Sequence, residues 1–63
     1  MNALGYVSSG RELADSYLDS ARSERRFAHW LFRGGYRGDG RYHMRQALRA
    51  WRKYRWALER IIR

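Results

Sequence analysis

From Leu13 to Phe32, apolar side chains return at three- and four-residue steps, the period of an α-helix with one covered side. At 100° per residue, Leu13, Ala14, Tyr17, Leu18, Ala21, Phe27, Ala28, Leu31 and Phe32 gather on one broad arc. Arg11, Asp15, Arg22, Arg26, His29 and Arg33 fall on the opposite one. Just upstream, Ser9-Gly10-Arg11-Glu12 has the form of a capping box, in which the serine hydroxyl accepts from the Glu12 amide and the carboxylate reaches back to the Ser9 amide. Acidic Glu12 and Asp15 near the start and basic Arg33 at the far end suit the helix dipole. The pattern predicts a first helix over residues 10–33, preceded by an arm, 1–8, that lacks sustained periodicity.

Four of the six glycines lie in Gly34-Gly35-Tyr36-Arg37-Gly38-Asp39-Gly40, a density that ends a helix and predicts a loop over 34–40. Asp39 is placed to cap a second helix over residues 41–62. Within it Met44, Ala47, Trp51, Tyr54, Leu58 and Ile61 repeat at a- and d-like spacing, flanked by Ala50, Ala57 and Ile62. The expected fold is all-α: one domain, 1–63, folded as an antiparallel helical hairpin. Its register would set Leu31 beside Met44, Ala28 beside Ala47, Ala21 beside Tyr54 and Ala14 beside Ile61, so that alanines of the first helix meet large side chains of the second. Two helices alone leave much of such a stripe uncovered. Dimerisation into a four-helix bundle, or packing on a larger partner, is therefore expected.

Composition agrees with this picture and narrows it. Sixty-three residues leave no room for a second domain, and a chain that is 44% hydrophobic and 16% aromatic has the apolar area to fold. There is no proline to interrupt a helix, no cysteine, and no apolar run long enough to span a bilayer. No basic segment followed by an apolar one marks a signal peptide, so a cytoplasmic protein is expected.

Charge adds what the hydrophobic pattern cannot. Fourteen basic residues, thirteen of them arginine, stand against six acidic ones, a net of +8. Residues 1–24 hold two basic and four acidic side chains, whereas 25–63 hold twelve and two. A field this lopsided draws anionic partners.

The basic residues concentrate on the outer arc of the second helix, where Arg41, Arg45, Arg49, Arg52, Lys53, Arg60 and Arg63 surround Trp56. Guanidinium groups bind phosphate oxygens as planar forks and stack on bases. A merely solvated face would pair acids with bases at four-residue spacing, yet Glu59 is the only acid between Arg41 and Arg63. Trp56 in that setting stacks on a base, anchors in a partner's pocket, or packs over arginine stems. Trp30, near Arg26 and Arg33, is placed to extend the surface, and Arg37 gives the glycine-rich segment the character of RNA-binding arginine-glycine stretches, although a helix connection that needs positive φ is the simpler and favoured explanation of those glycines.

Two functions fit these ten residues. One is a non-catalytic module that binds nucleic-acid phosphates, without a motif for base-specific readout. The other is a small accessory or inhibitory protein, of the kind that phages and mobile elements encode, docking an Arg/Trp/Tyr face on an acidic surface of a larger protein or complex. A membrane surface ranks last, because the apolar residues of the second helix already have a partner in the first.

Chemistry beyond binding finds no support. His29 and His43 are the only histidines, so no metal site and no cofactor are expected. No serine has an evident base and orienter, and so short a chain hardly encloses a dry pocket, which argues against an enzyme. Glu24 falls in the apolar arc of the first helix and should accept from Trp51, Tyr54 or an arginine across the hairpin.

Overall fold

The computed structural model describes residues 10–62; the arm 1–8, the Ser9 half of the capping box and Arg63 lie outside the described residues. Helix α1 runs Gly10–Arg33, at the bounds the periodicity sets, and α2 runs Arg37–Ile62. They form an antiparallel hairpin, with Phe32 against Gly40 at the turn and Ile61 against Gly10 at the open end. The molecule measures 43 × 26 × 12 Å, a slab one helix thick.

The turn is shorter than the expected loop over 34–40. The Tyr36 amide donates to the Leu31 carbonyl at 2.9 Å and the Gly35 amide to that of Phe32 at 3.1 Å, while Gly35 sits at φ 88°. This is a Schellman cap, in which one left-handed residue satisfies the last carbonyls of a helix and reverses the chain. Tyr36 then caps α2, its carbonyl accepting from the Gly40 amide at 2.9 Å. Asp39 is therefore not the cap but a first-turn residue of α2, where the dipole favours its charge. Gly38 and Gly40, read as loop glycines, are helical. A Cβ on Gly40 would lie 2.7 Å from the Phe32 ring, so that glycine provides the seat for Phe32.

Because α2 begins early, the helices pair about one turn away from the expected register. Ile61 reaches Gly10 instead of Ala14, and Phe32 reaches Gly40. The seam also differs in kind. Buried from α1 are Ala14, Ala21, Ala28 and Leu31, and from α2 Ala47, Ala50 and Ala57. Alanine meets alanine, and no large side chain is fully buried among the described residues. Small residues at seven-residue steps let two backbones approach closely, which pushes larger side chains to either side of the seam. Met44, Trp51, Tyr54 and Leu58 are half-buried, while Leu13, Phe27, Phe32 and Ile61 remain exposed, contrary to a broad covered arc.

The two broad sides of the slab are unlike. One carries a shallow groove between Tyr17, Ser20 and Glu24 of α1 and Gln46, Arg49 and Lys53 of α2. The other carries Leu18 and Phe32 of α1 with Met44, Leu48, Trp51 and Leu58 of α2, interleaved at the same helical phase with exposed Arg11, Arg25, Arg37 and Arg55.

Candidate nucleic-acid interface

Helix α2 positions seven of its eight basic residues in two adjacent rows at four-residue steps, and the eighth, exposed Arg55, falls apart from them, seven residues after Leu48. Arg37, Arg41, Arg45, Arg49 and Lys53 form one row, and Arg52, Trp56 and Arg60 the other; all eight of these are exposed. With a rise of 1.5 Å per residue the rows extend about 35 Å from Arg37 to Arg60. Each four-residue step advances 40° around the axis, so the first row winds through about 160°, from the side opposite the groove, where Arg37 precedes Met44 by seven residues, over the outer edge and into the groove, where Arg49 and Lys53 line one wall. The early start of α2 takes Arg37 out of the expected loop and adds it to the end of this row.

Two cations are held over aromatic rings. The Arg60 guanidinium lies 4.4 Å from the centroid of the Trp56 ring, and Lys53 Nζ lies 5.9 Å from that of Tyr17 across the groove. Such contacts orient long side chains at little energetic gain, of the order of 0.5–1 kcal/mol at exposed sites. Trp56 thus packs on an arginine stem while remaining 47% exposed.

Trp30 does not join the rows on α2. It stacks on Phe27 of its own helix, with centroids 5.8 Å apart and planes 12° apart, and is 58% exposed. Phe27 meets His43 of α2 edge-on at 4.6 Å, and His43 meets Tyr42 at 5.0 Å. Four rings therefore bridge the two helices near the turn, beside Arg41 and Arg45. Sequence reasoning missed this bridge; its only trace was a pair of aromatic neighbours on each helix, Phe27 with Trp30 and Tyr42 with His43.

Glu24 finds a partner different from those expected. His43 Nδ1 donates to Glu24 Oε1 at 2.8 Å, both side chains being about three-quarters covered. The pair lies under the aromatic bridge and holds the His43 ring against Phe27. Among the described residues no three His, Asp or Glu side chains cluster as a metal site, and no helix is long and apolar enough to cross a membrane. The arrangement presents phosphate-sized anions with a line of guanidinium forks and, at its turn end, flat rings. No protein-family model matches the chain, and no curated protein or solved structure matches it.

Proposed function

We propose that the protein is a non-catalytic binding module that engages nucleic-acid phosphates through the basic rows of α2. The observation that carries this reading is the exposure of Arg37, Arg41, Arg45, Arg49, Arg52, Lys53 and Arg60 on a helix whose only acids are Asp39 and Glu59. Self-repulsion along such a helix is relieved when phosphates replace its counterions, and the released ions supply the driving force. The rings of Trp56, Tyr42 and Trp30 add flat surfaces on which unpaired bases stack, each worth about 1–3 kcal/mol.

Tryptophan fluorescence and anisotropy, titrated with short single-stranded and duplex RNA and DNA at low and near-physiological salt, test the reading. The expected result is affinity that falls steeply with salt, and quenching of Trp56 when it is the sole remaining tryptophan. Absence of binding to all four nucleic acids at low salt overturns the proposal. One observation favours a second reading: Trp30 and Tyr42 are each more than half exposed on one side of the molecule, the residue types that dominate protein-binding hot spots. On that reading the ligand is an acidic surface of a larger protein, and affinity survives moderate salt because buried rings contribute most of it.

A further inference from the structure

Residues seven apart on a packed helix share a phase, so the residues that line the groove mark out the columns that continue it toward both ends of the slab. On α2, Arg49 of the groove wall has Tyr42 seven positions before it and Trp56 seven after, and Lys53 has Arg60 seven after. On α1, Phe27 stands seven after Ser20 of the opposite wall, and Trp30 stacks on Phe27. The result is a basic groove between two sets of exposed rings, Phe27, Trp30 and Tyr42 at the turn end and Trp56 toward the other. We propose, building on the phosphate-binding reading, that this side takes an unpaired nucleic-acid strand, whose bases stack on the rings at both ends while the phosphates between them lie on Arg49 and Lys53.

The spacing suits such a strand. Each seven-residue step is about 10.5 Å, which puts Tyr42 and Trp56 about 21 Å apart with Arg49 midway. Nucleotides rising about 3.4 Å each cover that span with about six, and a more extended strand covers it with fewer. Arg60 covers one face of Trp56, yet the indole stays 47% exposed. Of the acids in phase with the groove, Glu24 accepts from His43, and Asp39 lies beyond Tyr42 toward the hairpin turn. The stretch between Tyr42 and Trp56 therefore meets phosphates with cations.

Two comparisons select this side and this ligand. The opposite side also exposes arginines, Arg11, Arg25, Arg37 and Arg55, but there Phe32 is seated on Gly40 and Trp51 is half-buried. A protein-binding surface, for its part, gathers its apolar anchors at the centre inside a polar rim. Here the order is reversed, with the polar and basic groove at the centre and the rings at its ends.

Strandedness separates this arrangement from a merely basic helix. A duplex carries one charge per about 1.7 Å of axis against about 3.4 Å for one of its strands, so phosphate contacts alone favour the duplex. Base stacking reverses that order, because only unpaired bases reach the rings.

Fluorescence anisotropy of labelled nucleic acids, titrated with the full chain at one low salt concentration, tests the proposal. The probes are twelve-nucleotide oligothymidylate and oligouridylate, and twelve-base-pair DNA and RNA duplexes of mixed sequence. Stacking should make the single strands bind at least about fivefold tighter than the duplexes. Tyr42→Ala and Trp56→Ala should each weaken single-strand binding at least about fivefold, with duplex binding and helical content unchanged. Tighter single-strand binding in either sugar supports the proposal, and the better-bound sugar names the ligand as RNA or DNA. Duplexes bound as tightly as single strands, or more tightly, overturn it and leave the phosphate-binding reading standing, whereas no binding by any of the four removes both. Equal losses from Arg49→Ala and Arg55→Ala reject the groove side. Polyglutamate competing as well as oligothymidylate at equal charge points to an acidic protein surface and rejects the strand.

Discussion

Gly35 and Gly38 are three residues apart and answer to different physics. At φ 88°, Gly35 occupies a conformation that costs an L-residue about 1–2 kcal/mol, and nothing within 4 Å would compensate a side chain there. Gly38 is helical with open space around its Cβ position, so alanine there removes unfolded-state freedom without a clash. Gly35→Ala should therefore destabilise by about 1–2 kcal/mol and Gly38→Ala should stabilise by about 0.5–1 kcal/mol, read from urea unfolding at one fixed protein concentration. Equal effects of the two would refute the Schellman turn. Residue by residue, the sequence revealed demands more readily than solutions. A carboxylate at Glu24 in an apolar arc plainly needed a donor, but only the register of the helices selects His43 over Trp51, Tyr54 or an arginine.

At the scale of elements, α1 was legible to its bounds because a long periodic stretch ends at a pair of glycines. The start of α2 was not. Glycine density over 34–40 reads as a loop, yet one left-handed residue reverses the chain, and Gly40 is glycine because Phe32 occupies the space of its side chain. The same preference for large side chains hid the seam: Met44, Trp51 and Leu58 carry the conspicuous periodicity, while the residues that touch across the hairpin are alanines seven apart. Leucine forms helices nearly as well as alanine, so Ala21→Leu or Ala47→Leu isolates the packing effect. Each should cost about 1–3 kcal/mol through overpacking of the seam, measured by thermal unfolding monitored by circular dichroism. Neutral substitutions at both sites would mean that the helices are not in close contact there.

Over the whole molecule, the net charge and its concentration in residues 25–63 were fully legible, because charge is additive along a chain. Which side bears it was only partly so: the winding of the Arg37 to Lys53 row into the groove depends on where α2 begins. If Arg49 and Arg52 each neutralise one phosphate, replacing both with alanine should lower the slope of log K against log salt by about 1.8 on duplex or about 1.4 on single strands. Helical content should not change, and an unaltered slope would remove those two residues from the interface. The hairpin topology also dictates an order of assembly. Phe32 and Gly40 are eight positions apart in the chain, Gly10 and Ile61 fifty-one. Loop-closure entropy therefore favours the turn-end contact by about 1.6 kcal/mol, and each further alanine pair forms from a site already held. Folding proceeds like a zip from the Schellman turn, a low-contact-order route that is intrinsically fast, and the Gly10–Ile61 end is the last to close and the first to open.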